Sequence, residues 1–290
     1  MARVGGSEQW FVLFSHPFLM SDLMTFDVAQ IISGLLVGFL VGLTGVGGGS
    51  LMTPILVFIF GYAPKAAVGT DLLFAALTKT GGVFVHHGKH RSVDWKIVGK
   101  LSLGSIPAAL LVIYLMENVF TKDDTITNVI TSSLGVALIF TSLALFVRNR
   151  LISRRQQDET AVERLTHKER FGRWQGALTV LVGLVLGVLV TLSSVGAGAL
   201  GTIALLFLYP RLATVRIVGT DLAHAIPLTA VAGLGHMHMG NVDLGLLGSL
   251  LIGSLPGIYI GSHLSAKIPE RILRPILATL LMIIGIKFVV

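Results

Sequence analysis

Two glycine-rich stretches hold the backbone chemistry of this chain. They are Thr44-Gly45-Val46-Gly47-Gly48-Gly49-Ser50 and Ser193-Ser194-Val195-Gly196-Ala197-Gly198. Each follows a glycine-spaced hydrophobic segment and precedes a short apolar one, Leu51–Phe60 in the first case and Leu200–Tyr209 in the second. Glycine clusters are costly in apolar surroundings unless something uses the backbone groups they free. A helix that starts after such a break exposes unpaired N–H groups, and its dipole adds partial positive charge. Together these make an anion site that needs no cationic side chain. The hydroxyls of Thr44, Ser50, Ser193 and Ser194 add donors. These two stretches are therefore the expected binding surface for a small anion. The competing reading is that the glycines only permit tight helix packing.

Ionisable residues inside apolar segments are expensive and mark function by default. Asp71 and Asp221 lie about a turn into their segments. A permanently ionised carboxylate would repel an anion, so the readings are a proton carrier, or a cap on backbone N–H groups of the neighbouring break with Thr70 and Thr220 assisting. Lys79 follows Asp71 by two helical turns on roughly the same face, between Thr78 and Thr80, with Leu228-Thr229 at the matching place in the second half. It is expected to attract the anion or pair with Asp71; the alternative is a lysine snorkelling to a water-filled vestibule. His224 shares a face with Asp221, as a proton relay or a hydrogen-bonded core histidine. His86-His87-x-x-His90 and His236-x-His238 fall at expected helix ends on opposite sides of the membrane. They read as interfacial histidines rather than converging metal ligands. There is no cysteine, hence no disulfide or thiolate metal site. No phosphate-binding loop is present, and no cofactor is expected.

The elements that position these groups are membrane helices. Of 290 residues, 53% are hydrophobic and 13% charged, with mean hydropathy +0.83. A soluble domain averages about 25% charged, and apolar runs of about 20 residues, long enough to cross a bilayer, recur along the chain. The long continuous runs are unlike the short alternating segments of a strand barrel. Residues 1–27 do not read as a cleaved signal peptide; an interfacial lead-in segment is expected, with a disordered end as the alternative. Val28–Val46 is the first glycine-spaced segment, with Gly34, Gly38 and Gly42 leaving one face nearly flat. Full spans are expected at Ala66–His87, Trp95–Met116 and Ile126–Val147, and Arg148–Arg173 reads as a solvent loop.

The pattern then repeats. Trp174–Val195, Leu200–Tyr209, Ile217–His236, Leu244–Leu264 and Ile272–Val290 match the first set. Val68-Gly69-Thr70-Asp71-Leu72 returns as Val218-Gly219-Thr220-Asp221-Leu222, Val93-Asp94 as Val242-Asp243, and Leu103-Gly104-Ser105-Ile106-Pro107 as Ile252-Gly253-Ser254-Leu255-Pro256. The offset stays at 149 or 150 residues. If each break and short helix form a re-entrant hairpin, each half has three spans; if both pieces cross, it has five. Either odd number inserts the second half upside down. The expected fold is an all-α polytopic bundle of two inverted-topology repeats, 28–147 and 174–290, each with a broken or re-entrant glycine-rich helix pair plus three further spans. Most basic residues, including those of the linker 148–173, then fall on one side, and only Arg3, Lys65, Lys122 and Lys287 on the other. The basic side is cytoplasmic by the positive-inside rule, with both termini outside. The net charge of +7 is thus an orientation signal and not a nucleic-acid footprint.

At these residues the chain resembles the sulfite exporter TauE/SafE family of membrane permeases. The likeness rests on Gly38-x-x-x-Gly42-x-x-Gly45-x-Gly47-Gly48-Gly49 with Pro54, on Gly69-Thr70-Asp71, and in the second half on Gly187, Ser193-Ser194-x-Gly196-x-Gly198, Gly219-Thr220-Asp221 and Gly240-Asn241-Val242-Asp243. It covers nearly the whole chain from about Val28. It implies export of sulfite or an organosulfonate such as sulfoacetate across the bacterial plasma membrane. Ala197 and Ala199 replace Gly48 and Ser50 in the second block, so the two breaks are not equivalent. The expected partners are a small anionic substrate and the lipid bilayer, with room for a homo-oligomer. Membrane potential alone favours anion exit from a cell negative inside. The alternatives are an anion channel and an intramembrane enzyme with Asp71 and Asp221 as a shared-proton dyad.

Overall fold

The structure is a computed structural model that describes residues 27–44, 49–90, 93–119, 123–157, 174–264 and 270–289. The described residues form ten helices and no strand: α1 Val28–Thr44, α2 Gly49–Phe58, α3 Pro64–His90, α4 Trp95–Asn118, α5 Asp123–Gln157, α6 Gln175–Ser193, α7 Leu200–Leu208, α8 Thr214–His238, α9 Leu244–Leu264 and α10 Glu270–Val289. Five stretches are long and apolar enough to cross a membrane: Trp95–Asn118, Thr125–Arg148, Gln175–Ser193, Thr214–His238 and Leu244–Gly261. Large apolar side chains point outward on these helices, such as Leu103, Leu110 and Leu111 on α4 and Leu181, Leu184 and Val185 on α6. Water would not tolerate that arrangement over so many helices, whereas lipid tails would. The chain is a multi-pass membrane protein. By contrast α2 and α7 have only 10 and 9 residues. At 1.5 Å per residue, each reaches about half of a 30 Å hydrocarbon layer.

The spaced glycines do what their pattern predicts. Gly34 and Gly38 of α1 lie against the backbones of Leu250 and Ser254 in α9, and Gly253, Gly257 and Gly261 of α9 lie against α1 from Ile31 to Leu43. The same contact recurs between α4 and α6, where Gly104 meets Val180 and Leu184, Gly183 meets Leu101 and Gly187 meets Ser105. In both pairs the contact positions rise together, so each pair is parallel, and in both a first-half helix packs on a second-half helix. A methyl group at Gly38 would stand 2.7 Å from Ser254 Cα, and one at Gly187 2.8 Å from Ser105 Cα.

Two other pairs run antiparallel. In α3 and α8, Gly69 abuts Asn241 and His236, and Gly233 abuts Leu73. In α5 and α10, Gly135 abuts Phe288 and Gly285, while the Ser142 hydroxyl donates to the Ala278 carbonyl at 2.6 Å. One buried apolar cluster sits on the α5–α10 pair. It joins Leu134, Leu138, Ala278 and Leu281 to Leu51 at the start of α2 and to Val195 and Ala199 beside α7.

One expectation is corrected. The loop expected from Arg148 is helical to Gln157. Its Arg, Leu and Gln residues are good helix formers, and polarity alone does not stop a helix. The rest of that segment, 158–173, lies outside the described residues, as do the leading residues 1–26.

Candidate functional site

The second break is described in full. Helix α6 ends on Ser194, whose φ of 58° is left-handed, and Gly196 and Gly198 follow at φ 114° and 123°. Those last two values are open to glycine and strained for other residues, which accounts for both glycines. The Ser193 hydroxyl donates to the Leu189 carbonyl at 2.6 Å and accepts the Val195 N–H at 3.2 Å, so it holds the turn together. The Leu200 N–H, expected to be open to an anion, donates to the Gly196 carbonyl at 3.1 Å; the break recloses one turn of hydrogen bonding as α7 begins.

Lys79 reaches this break from the other half of the chain. Its Nζ lies 3.5 Å from the Ala197 carbonyl, and the residue is only 5% exposed. The polar group that the break turns to Lys79 is therefore a carbonyl, not an amide. Lys79 stands within electrostatic reach of Asp71, Asp221 and His224. It does not snorkel to the surface. Thr78 and Thr80 spend their hydroxyls on the Phe74 and Ala76 carbonyls of their own helix, both at 2.7 Å.

Both aspartates are buried, and each is tied to the short helix of its own half. Thr53 in α2 donates to Asp71 Oδ2 at 2.5 Å. The Thr202 hydroxyl in α7 lies 2.8 Å from Asp221 Oδ2 and 2.5 Å from the Gly198 carbonyl, so its one hydrogen is shared between them. Gly201 makes room for this: a Cβ there would stand 2.9 Å from Asp221 Cγ. Neither carboxylate hydrogen-bonds the other among the described residues. The Ser194 hydroxyl sits beside Asp71, yet Ser194 Oγ and Asp71 Oδ1 each lack a hydrogen-bond partner, as does Asp221 Oδ1.

Thr70 and Thr220 do not assist their aspartates. Adjacent helix positions point about 100° apart, and these two hydroxyls face the other half. Thr70 Oγ1 accepts the Asp243 N–H at 3.0 Å, and Thr220 Oγ1 accepts the Asp94 N–H at 2.9 Å. Asp94 in turn caps α4 through the N–H groups of Lys96 and Ile97, and Asp243 caps the start of α9 through Leu246 N–H. His224 takes the core-histidine reading, with Nε2 2.8 Å from the Ser105 hydroxyl. His236, in the last turn of α8, is fully buried within the protein, and its Nε2 donates to the Thr191 carbonyl at 2.9 Å. His238 is at the surface, 3.5 Å from Glu117.

Gly45, Val46, Gly47 and Gly48 lie outside the described residues, as do the side chains of Thr44, Ser50, His86, His87 and His90. Gly49 and Ser50 open α2. Three residues escaped the sequence reading. Thr53 and Thr202 share the 149-residue offset, which was the available signal. Arg148, counted among orientation charges, is 3% exposed and within electrostatic reach of Asp221; only its place at the end of an apolar run hinted at that.

Comparison with known proteins gives the family. The family described as "Sulfite exporter TauE/SafE" matches residues 30–288. This chain belongs to the TauE/SafE family. It is 38% identical over 263 residues to a "probable membrane transporter protein", YjnA, of Bacillus subtilis, covering 91% of this chain and 100% of that protein. A "probable membrane transporter protein" of Methanocaldococcus jannaschii is 28% identical, with 88% of this chain and 92% of that one covered. No solved structure matches this TauE/SafE chain. Asp71, Lys79, Ser194 and Asp221 are thus the buried polar groups of a membrane transporter.

Proposed function

We propose that this TauE/SafE protein is a secondary transporter that exports a small sulfur oxyanion, sulfite or an organosulfonate such as sulfoacetate, across the bacterial plasma membrane. The observation that carries the reading is Lys79: a buried cation of the first half, aimed at the interrupted helix of the second. The Ala197 carbonyl is a weak partner at 3.5 Å. An anion arriving at the break gains a full charge–charge contact in low dielectric, with the unpartnered Ser194 hydroxyl as a further donor. The sulfur chemistry comes from the family description alone.

Alternating access by two inverted repeats, 28–147 and 174–290, is part of the proposal. Several observations support it. The equivalent helices α3 and α8 run antiparallel, as do α5 and α10. The pairs α1–α9 and α4–α6 are the same contact made twice with the halves exchanged. Both short helices abut one apolar cluster on α5 and α10, so the two breaks approach the same region from opposite halves.

The test is binding and counterflow with purified protein, comparing sulfite, sulfoacetate, taurine and sulfate. Saturable counterflow of sulfite or sulfoacetate in proteoliposomes, lost in a folded Lys79→Met variant, is expected. Single-channel current in place of counterflow, or full transport by Lys79→Met, overturns the reading.

A further inference from the structure

The two buried carboxylates are not equivalent, and their difference points to a coupling role for one of them. The charged and titratable groups facing this region are Asp71 and Lys79 from α3, Asp221 and His224 from α8, and Arg148 from α5. Asp221 faces two cations, Lys79 and Arg148. Among the described residues, Asp71 faces one cation, Lys79. Asp221 shares its threonine hydrogen with the Gly198 carbonyl, a deficit that a second full charge outweighs. Oδ1 of each aspartate is buried and lacks a partner, but only Asp71 has the Ser194 hydroxyl of the opposite half beside it among the described residues.

We infer that Asp71 takes up one proton when the anion binds at Lys79, while Asp221 stays ionised as the resident partner of Lys79 and Arg148. This rests on the anion reading of Lys79 given above. The charge balance is direct. With both aspartates ionised and Lys79 and Arg148 protonated, the buried set is neutral. An entering monovalent anion draws Lys79 away from Asp71 and leaves one uncompensated negative charge in low dielectric. A proton on Asp71 Oδ1 restores neutrality, and its hydrogen can be donated to Ser194 Oγ. A metal cation would need several converging oxygens. The described residues offer Asp71 two hydroxyls, and no cluster of three acidic or histidine ligands exists among them. A proton needs one acceptor. Anion and proton then move together, so each cycle with a monovalent anion transfers no net charge, and the anion and proton gradients, not the membrane potential, set its direction.

The test uses methanesulfonate, which stays ionised across the working range, so the probe itself does not titrate. Its binding to the full-length wild-type protein is measured by calorimetry between about pH 5 and pH 8 in buffers of different ionisation heat. The expected result is uptake of about one proton per anion on the alkaline limb, with affinity falling by up to about tenfold per pH unit there. Asp71→Asn is expected to abolish the uptake and flatten the pH dependence. The wild-type proton count needs no variant, so a misfolded mutant leaves the test intact. Binding without proton uptake overturns this inference and spares the anion site. Uptake that survives in Asp71→Asn overturns the assignment to Asp71. No binding at any pH overturns the anion site and this inference together.

Discussion

Replacing Thr70 or Thr220 by valine removes one oxygen and keeps the shape, and the structure says what that oxygen does. Each hydroxyl accepts the backbone N–H of the N-cap aspartate of the opposite half, at 3.0 Å from Asp243 and 2.9 Å from Asp94. Both threonines are fully buried, so valine sends no water to take the vacated place and the N–H is left without an acceptor. Such a loss costs about 1–3 kcal/mol; because each contact is part-buried, the lower half of that range, about 1–2 kcal/mol, applies. If the N-cap aspartate shifts as well, loss of its cap on α4 or α9 adds about 0.5–2 kcal/mol. The two sites tie different helix pairs, so the double variant is expected to lose the sum to within about 0.5 kcal/mol. The assay is thermal unfolding of detergent-purified protein at one fixed scan rate, since membrane proteins often unfold irreversibly. A chain of this size loses about 2–4 °C per kcal/mol, which gives drops of roughly 2–8 °C for each single variant. Serine at either position keeps the acceptor and should recover most of the loss. Wild-type stability in both valine variants would refute the hydrogen-bond account. A large loss at one position and none at the other would refute the equivalence of the two halves.

The glycine contacts make a separate prediction: Gly38→Ala and Gly187→Ala each force backbone apart, since the new methyl meets Ser254 Cα at 2.7 Å or Ser105 Cα at 2.8 Å. Overpacking of this kind costs about 1–3 kcal/mol, and a similar fall in unfolding temperature for both is the expected outcome. Gly201→Ala should displace the Asp221 carboxyl, whose Cγ would lie 2.9 Å from the new carbon. Reduced transport at near-normal expression is expected, measured as sulfite or sulfoacetate counterflow, and wild-type flux in that variant would show that the close approach is incidental.

The repeated motifs made the architecture legible because both copies perform the same physical task. Gly34, Gly38, Gly183 and Gly187 stand at helix periodicity, and such a stripe has one efficient use in lipid, which is to let another backbone approach. The sequence does not say which backbone. That each glycine helix packs on a partner from the opposite half follows from three-dimensional closure. The same holds for Val-Gly-Thr-Asp. Its recurrence marked both polar residues, and proximity in sequence suggested that Thr and Asp act together. On a helix they diverge, and Thr70 bonds the other half while Asp71 bonds Thr53 of its own.

Departures from symmetry were the harder part to read and matter most for transport. Lys79 has Leu228-Thr229 opposite it, and His224 has Phe74-Ala75 at the matching place. A perfectly symmetric pair of breaks would present the same charge to both sides of the membrane and could not distinguish one carboxylate from the other. Among the described residues a lysine stands near both Asp71 and Asp221 and an arginine near the second, so the two repeated motifs have unequal electrostatic surroundings. Arg148 could not be recognised from its surroundings in sequence, because Arg150, Arg154 and Arg155 follow it and a basic run reads as an orientation signal. Its burial depends on how α5 packs against helices distant in the sequence, which no local pattern encodes. The helix packing can thus be read from the repeated motifs of the sequence, whereas the chemistry is read from the positions where the two copies disagree.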